Sequence, residues 1–388
     1  MSREKRRAQR GTIAIVGAAE SDVVGKQPEK SALMLHAEGA RNALADAGLS
    51  VRDVEAVLST GRQTANDIPE YLGIRPRYMD NTQMGGCSFI AHLEHALGLI
   101  NAGVAEVVLI THGESGRSRI GMEGTGFAPE SPAGQYEMPF GIGGPATRYA
   151  LAAARHMHEY GTTREQLAEV AVATRKWACL NPRAAMREPI TVADVLQSRQ
   201  VSWPFNLLDC CLVTDGGGAL VVTSAERAAD CQQQPVWVLG TGEATCHAII
   251  SQMPRFHVWD AAIRSGERAF EMSCARHADI DLAMFYDAFT IVPILALEAL
   301  GFCGLGEGGP FVAGQRTAPG GAFPMNTNGG GLSYTHSGMY GMYLLVEAVK
   351  QLRGECGERQ VKGAKTAICH GTGGILSAAA TAILSTER

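Results

Sequence analysis

The chain has 388 residues, of which 34 are basic and 39 acidic, so its formal net charge is −5. This balance offers no basic surface to a polyanion, and we expect no nucleic-acid partner. With 46% hydrophobic and 19% charged residues, the composition is typical of a well-packed globular protein and excludes a disordered chain. Ten cysteines without a C-x-x-C pair favour a reduced, cytoplasmic protein. The stretches that lack charged residues are broken by glycines and polar residues, so we expect no membrane span.

Strands and helices are expected to alternate from the N-terminal end of the chain. We expect the charged residues 1–11 to form a disordered tail. A β-branched strand follows at 12–17, and a helix at 31–47 has apolar residues at helical spacing before the stop at Gly48. Two further apolar strands are expected at 54–58 and 105–111, with a helix at 89–100 between them. This alternation predicts a largely parallel sheet covered on both faces.

The second part of the chain repeats the pattern of the first. Three pairs of segments resemble each other in order: 13–20 and 236–244, 56–60 and 283–287, and 106–113 and 365–371. We therefore expect a duplicated α/β fold, with an N-terminal half at 12–113 and 204–230 and a C-terminal half at 231–388. Residues 114–203 are expected to be an insertion that caps a site, with helices at 145–160 and 164–178.

The first candidate for chemistry is Cys87, in the segment MGGCSF at 84–89. It lies between an expected strand and the start of an expected helix. Unsatisfied N–H groups and the helix dipole at such a start stabilise a thiolate, and the paired glycines let a substrate approach the backbone. The alternative is a small buried residue that caps a core helix.

The second candidate is His336, in the segment NTNGGGLSYTHSG at 326–338. This segment precedes an apolar helix, and 13 of the 46 glycines lie between Gly301 and Gly341. A glycine-rich loop that ends at a helix start is suited to presenting a histidine to a ligand. A cysteine and a histidine together suggest nucleophilic catalysis, in which the histidine takes the thiol proton.

Two further candidates stand at the ends of expected strands. One is Cys369-His370 in CHGTGG at 369–374, and the other is Tyr286 in FYDAFT at 285–290. In open α/β sheets, ligands bind at the carboxyl ends of the strands. For both segments, turn formation and core packing are the alternative explanation.

Taken in order, these motifs resemble those of the thiolase superfamily over nearly the whole chain, and those of its sterol-carrier type in particular. GGCSF resembles the nucleophile motif, and NTNGGGLSYTHSG resembles the Asn- and Gly-rich segment that carries the catalytic histidine. In the second motif Thr335 replaces a glycine and Ser337 a proline. The resemblance implies two βαβαβαββ halves in a five-layer α-β-α-β-α sandwich, with the insertion in the N-terminal half.

The resemblance also implies a role for each candidate residue. Cys87 accepts the acyl group, and His336 activates it and helps to bind the thioester oxygen. Tyr286 stands where thiolases have the Asn or His associated with the oxyanion hole. Cys369 matches a C-x-G motif and His370 a His-Gly-x-Gly-Gly motif; because strand neighbours face opposite sides, only one serves as second acid–base residue, and we favour His370. The expected substrate and oxyanion residues are Gly373, Gly374, Asn326 and Tyr334.

These roles imply an acyltransferase of lipid metabolism that cleaves a 3-oxoacyl-CoA with CoA, or runs the reverse Claisen condensation, through a Cys87 acyl-enzyme. One alternative is retro-aldol cleavage of a 3-hydroxyacyl-CoA, since Tyr286 and Tyr334 fall where related steroid side-chain aldolases carry acid–base tyrosines. Another is a non-catalytic acyl-CoA-binding subunit of a complex. Because those aldolases lack the nucleophilic cysteine, retention of Cys87 and His336 favours thiolysis.

The resemblance implies acyl-CoA and CoA as the small-molecule ligands. CoA is expected as a co-substrate, with no tightly bound cofactor and no metal. Thiolase-like chains form dimers, often dimers of dimers, so we expect a homodimer or a dimer of dimers. Several bacterial members of this branch work with a small zinc-ribbon/OB-fold partner, and the sequence leaves open whether this chain has one. The insertion is expected to set the choice of acyl chain.

Overall fold

The architecture is a duplicated α/β sandwich, and the computed structural model describes residues 3–61, 66–120 and 128–388. Residues 1–2 of the expected tail and 121–127 of the expected insertion lie outside the described residues. The described strands are, in chain order, β1 (Ile13–Glu20), β2 (Ala56–Ser59), β3 (Tyr78–Asn81), β4 (Val107–Glu114), β5 (Gln200–Ser202), β6 (Phe205–Asn206), β7 (Gly216–Ser224), β8 (Val236–Thr245), β9 (Leu282–Phe285), β10 (Thr366–Gly373) and β11 (Ala378–Ser385).

The strand pairing shows the duplication. The N-terminal half has the order β3-β2-β4-β7-β1, and the C-terminal half continues as β8-β11-β10-β9. In the first half β2 is parallel to β3 and β4, whereas β7 is antiparallel to β4 and β1. In the second half β10 is parallel to β9 and antiparallel to β11, which is antiparallel to β8. The strands of the two halves therefore correspond in order and direction, as the sequence repeats predict.

The helices fill the remaining layers and the insertion. In chain order they are α1 (Arg3–Arg7), α2 (Ala32–Ala47), α3 (Asp67–Leu72), α4 (Ser88–Asn101), α5 (Pro132–Tyr136), α6 (Pro145–Tyr160), α7 (Arg164–Cys179), α8 (Val192–Gln197), α9 (Ala225–Ala228), α10 (Asp260–Ser273), α11 (Ile291–Ala299), α12 (Gly308–Val312) and α13 (Gly341–Arg353). Within the described ranges, no helix is both long enough and apolar enough to cross a bilayer.

Helices α4 and α13 form a central layer between the halves, and α2 and α10 cover the outer faces. Helix α2 packs on β1, β4 and β7, and α10 packs on β8 and β11. Helices α4 and α13 lie between them, because each contacts strands of both halves. The layers therefore run α-β-α-β-α, which confirms the expected sandwich and brings the starts of α4 and α13 into the interior.

Local sequence signals explain where the long helices begin and end. The side chain of Ser31 accepts a hydrogen bond from the Met34 N–H at 3.3 Å and caps α2, as is typical of a serine before a helix. Gly48 ends this helix with φ +70°, a left-handed conformation that favours glycine. Helix α4 covers the expected 89–100 segment with one residue more at each end.

The insertion lies on the C-terminal half. Strand β4 ends at Glu114 and β7 begins at Gly216, and α6 and α7 occupy the helical segments that the sequence predicts. The Asn181 side chain donates to the Asn328 carbonyl at 2.8 Å, and the Ala185 N–H donates to the Tyr334 carbonyl at 3.1 Å. The insertion is thereby fixed to the segment that carries His336.

Residues 3–7 are helical, whereas the sequence predicts a disordered tail. Arg3–Arg7 form the short helix α1, which packs against α10. An ion pair of 3.0 Å between Arg3 and Glu271 joins the two helices, and the Arg6 side chain is buried. Contacts with α10 therefore order a segment whose own composition predicts disorder.

Candidate active site

Cys87 stands at the start of α4 and is completely buried. The Ser88 hydroxyl donates to the Gly85 carbonyl at 2.7 Å and accepts the Met84 N–H at 2.9 Å, which closes the turn before the helix. The sulfur of Cys87 lies 3.6 Å from the Met84 carbonyl oxygen. Burial raises the pKa of the Cys87 thiol to about 12, so the resting side chain is a thiol and not a thiolate.

The end of β10 approaches the turn before α4 very closely, so the strand positions that face this turn accommodate only glycine. A Cβ atom on Gly373 would lie 1.8 Å from the Met84 carbonyl oxygen and 2.7 Å from the Cys87 sulfur. A Cβ atom on Gly371 would lie 3.0 Å from Cα of Cys87. The strand end and the cysteine turn therefore form one wall of the site, and this explains two of the glycines in CHGTGG.

Tyr286 lies between the cysteine turn and His336. Its hydroxyl is 2.9 Å from Nε2 of His336 and accepts the Tyr340 N–H at 3.1 Å. On its other side, a Cβ atom on Gly86 would lie 2.3 Å from Cε2 of the Tyr286 ring. Burial lowers the pKa of His336 to about 4, so the imidazole is neutral and Nε2 can accept the phenol proton.

The backbone around His336 is held from several sides. Its N–H donates to the Thr214 hydroxyl at 2.9 Å, and its carbonyl accepts the Thr214 N–H at 3.0 Å. The next residue, Ser337, places its hydroxyl 2.8 Å from Nε2 of His112. The serine that replaces a proline in the motif is therefore tied to β4 by a side-chain hydrogen bond.

Asp287 is a buried carboxylic acid that sequence reasoning missed. One of its oxygens accepts the Gly331 N–H at 2.6 Å and the other the Leu332 N–H at 3.4 Å, so it holds the π-helical turn Gly330–Tyr334. Burial raises the pKa of Asp287 to about 7. Its position directly after Tyr286, at the end of a buried strand, is the signal that could have identified it.

Two of the expected substrate residues have other partners. The Tyr334 hydroxyl donates to the Glu20 carboxylate, which also pairs with Arg183 at 3.4 Å. The side-chain oxygen of Asn326 accepts the Phe285 N–H at 2.8 Å, at the end of β9. Tyr334 therefore points to the end of β1 and Asn326 supports the strand that precedes Tyr286, and substrate contact by either remains a prediction.

Cys369 and His370 lie on opposite faces of β10. The sulfur of Cys369 is 3.7 Å from the Leu344 carbonyl of α13, on the face that Gly371 and Gly373 turn towards Cys87. On the other face, Nδ1 of His370 is 2.8 Å from the Thr381 hydroxyl and its ring packs against Trp259, before α10. The side chain that we favoured from the sequence thus points away from Cys87, and the second acid–base role remains a prediction for both.

The structure therefore brings together the cysteine turn, Tyr286, His336 and the Gly373–Gly374 turn. Among the described residues, the hydrogen bond of His336 Nε2 is with Tyr286, and that of the Cys87 sulfur is with a carbonyl. The arrangement can move a proton between a bound substrate and His336 through a phenol. It also retains a thiol at a helix start.

Comparisons with known proteins found one family model and several relatives that match this chain. The family model for the thiolase C-terminal domain-like family matches residues 242–386. The chain is 35% identical to 17-hydroxy-3-oxo-4-pregnene-20-carboxyl-CoA lyase of Mycobacterium tuberculosis, over 89% of this chain and 92% of the relative. It is 34% identical to the steroid side-chain-cleaving aldolase of Thermomonospora curvata, over 89% and 91%. It is 31% identical to the acetyl-CoA acetyltransferase of Methanothermobacter thermautotrophicus, over 96% and 99%.

Two solved structures are similar to this chain over nearly its whole length. The Ltp2-ChsH2(DUF35) aldolase matches with a TM-score of 0.90 and 31% identity, covering 98% of this chain and 99% of the other. The monomeric SCP2-thiolase like protein type 1 of Mycobacterium smegmatis matches with a TM-score of 0.77 and 21% identity, covering 97% and 78%, and supports the fold alone.

Proposed function

Because the chain belongs to the thiolase superfamily, in its sterol-carrier type, we propose that it is a lyase that cleaves a 3-hydroxyacyl-CoA by a retro-aldol reaction. The observation that carries the proposal is the hydrogen bond between the Tyr286 hydroxyl and Nε2 of His336. It supports a proton relay from a substrate hydroxyl, whereas thiolysis needs His336 to activate Cys87. The names of two relatives, a lyase and an aldolase, point in the same direction.

The proposed reaction uses Tyr286 and His336 as one unit. The phenol oxygen of Tyr286 takes the proton of the substrate 3-hydroxyl while it passes its own proton to Nε2 of His336. The C2–C3 bond breaks, C3 becomes a carbonyl, and the electron pair forms the enolate of the shorter acyl-CoA. The proton returns from His336 through Tyr286 to C2, so the products are a ketone or aldehyde and an acyl-CoA.

The relay is supported by the electrostatics of the site. Burial raises the pKa of Tyr286 well above its usual range, so the phenol is protonated at rest and needs an acceptor before it can act as a base. Neutral His336 is that acceptor. The Tyr340 N–H, which precedes α13, stabilises the charge that develops on the phenol oxygen during the transfer.

Thiolysis is the second candidate, and Cys87 supports it. This cysteine stands at the start of α4 against the Gly371–Gly373 strand end, where backbone N–H groups can bind an oxyanion. In that reaction His336 would have to leave Tyr286 and take the proton of the thiol. The acetyl-CoA acetyltransferase relative favours this chemistry.

Two variants and two substrates separate the candidates. The retro-aldol probe is 17-hydroxy-3-oxo-4-pregnene-20-carboxyl-CoA, the substrate in the name of one relative, and the thiolysis probe is acetoacetyl-CoA with CoA. We expect CoA-independent cleavage that is lost in Tyr286→Phe and retained in Cys87→Ala. CoA-dependent turnover that is lost in Cys87→Ala, with an acetyl group on Cys87 detected by mass spectrometry, would overturn the lyase proposal.

We also propose a small DUF35 partner subunit. The support is the similarity to the aldolase whose name joins Ltp2 to a DUF35 protein. Co-expression with a DUF35 protein from the same genome, followed by size-exclusion chromatography with light scattering, tests the partner and the expected homodimer together. Co-elution at the mass of a mixed complex is expected, and separate elution would contradict the partner proposal.

A further inference from the structure

Tyr149 is a buried residue of the insertion that reaches the active site. It lies on α6 and is 3% exposed. Its hydroxyl is 3.3 Å from the Thr372 hydroxyl and donates to the Gly374 carbonyl at 3.3 Å. Its ring packs against Phe289, with 5.0 Å between the ring centroids. The hydroxyl therefore touches the end of β10 and the first residue after it, a segment that we call the Thr372–Gly374 turn.

The same turn contacts Cys87 on its other side. Gly373 leaves room for the Cys87 sulfur, since a Cβ atom there would be 2.7 Å from it. A Cβ atom on Gly85 would lie 2.8 Å from the Gly374 N–H nitrogen. Burial raises the pKa of Tyr149, and the hydrogen bond to Thr372 lowers it in part, so the phenol is protonated and can donate.

We infer that Tyr149 is a positioning residue: its hydroxyl holds the Thr372–Gly374 turn against Cys87, so that the insertion sets the wall of the active site. The ring of Tyr149 packs against Phe289, and its hydroxyl bonds to Thr372 and Gly374. Without it, the Gly374 carbonyl and the buried Thr372 hydroxyl lose a partner, and the turn can move away from the cysteine. The inference concerns the site of the proposed function and holds for retro-aldol cleavage and for thiolysis.

The test is the rate at which iodoacetamide alkylates Cys87, followed by mass spectrometry of the peptide that contains it. We expect Tyr149→Phe to change this rate at least threefold and to lower kcat about tenfold, with a smaller effect on KM. The matched control is Tyr160→Phe, because Tyr160 lies on the same helix and its ring contacts Gly306 and His257 rather than the turn. The control should alkylate and turn over as the unchanged protein does.

Thr372→Val provides the second arm, since it removes the other hydroxyl without changing the side-chain shape. If Tyr149 acts through the turn, the double variant should change the alkylation rate by no more than the larger single variant does. Multiplicative effects of the two substitutions, or wild-type alkylation in folded Tyr149→Phe, would overturn the inference. Because alkylation requires no substrate, failure here is distinguishable from failure of the proposed reaction.

Discussion

The phenol oxygen of Tyr286 lies 2.9 Å from Nε2 of His336, so the tyrosine takes the place at the histidine that a catalytic thiol would need. The Gly86 backbone leaves space for the Tyr286 ring on the other side, which sets the phenol between the two. A substrate that reaches His336 must therefore either use the phenol or displace it. This relationship separates the two reactions that the fold can support.

Removing the phenol oxygen should slow the proposed cleavage strongly. We expect Tyr286→Phe to lower kcat/KM by about 10²- to 10⁴-fold, the usual contribution of a positioned acid or base. Tyr340→Phe is the matched control, because Tyr340 contributes its backbone N–H to Tyr286 and its own hydroxyl donates to Asn328. Steady-state kinetics with the steroid thioester should show a large loss in the first variant and at most a tenfold loss in the second. Equal losses would contradict the relay.

The pH dependence should follow Asp287 and not His336. Burial raises the pKa of Asp287 to about 7 and lowers that of His336 to about 4. The ionised Asp287 carboxylate accepts the N–H groups of Gly331 and Leu332, so protonation below about pH 7 weakens the turn before His336. We expect kcat/KM to fall as the pH falls through 7, while His336 stays neutral until about pH 4.

The Asp287→Asn variant checks this assignment. Its amide cannot ionise, so its activity should be low but flat between pH 5.5 and 8. A remaining inflection near pH 6.5 in this variant would assign the limb to a histidine with an ordinary pKa.

Much of the fold could be predicted from the sequence because its signals are local. The strands at 12–17, 54–58 and 105–111 appear as β1, β2 and β4, shifted by one to three residues at their ends. The apolar periodicity, the Ser31 cap and the Gly48 stop of α2 are local signals, because each involves residues that are close in the sequence. The helix α1 was missed because its order depends on α10, far away in the sequence.

The site was less predictable because side-chain direction depends on distant partners. Tyr334 turns to Glu20 at the end of β1, and His370 turns to Thr381 and Trp259. No pattern within either motif specifies these contacts. The motifs identified which segments meet, whereas the bond between Tyr286 and His336 joins two segments of the C-terminal half that are 50 residues apart in the sequence.

Acid should destabilise the protein steeply below pH 6.5. Burial lowers the pKa of five histidines far below that of an unfolded chain, so between about pH 6.5 and 4 the unfolded state binds more protons than the folded state. Each such histidine costs roughly 1.4 kcal/mol of stability per pH unit, while Asp287, with its raised pKa, offsets one of them. The five are His36, His92, His112, His336 and His370.

His92→Leu isolates one of these contributions. Both ring nitrogens of His92 are buried without a hydrogen-bond partner among the described residues, so leucine should be tolerated. The loss of stability between pH 7 and 5 should become smaller by roughly 1.4 kcal/mol per pH unit. His95→Leu on the same helix is the control, because the hydrogen bond that His95 donates to the Glu243 carboxylate raises the pKa of His95, and removing this histidine should not reduce the loss. Urea unfolding at pH 5, 6 and 7 measures both, and equal slopes in His92→Leu and the unchanged protein would contradict the prediction.

Two glycine-to-alanine substitutions should act in opposite directions. In Gly373→Ala the new methyl group would meet the Met84 carbonyl at 1.8 Å and the Cys87 sulfur at 2.7 Å, so the strand end must move away from the cysteine turn. We expect a loss of about 1–3 kcal/mol in the free energy of unfolding and at least a hundredfold loss of activity. In Gly98→Ala the methyl group meets nothing within 4 Å on the exposed face of α4, and the variant should gain about 0.5–1 kcal/mol with unchanged activity. Denaturant unfolding and kinetics of both variants distinguish close approach at Cys87 from a general intolerance of alanine, because only the first predicts opposite signs of the stability change.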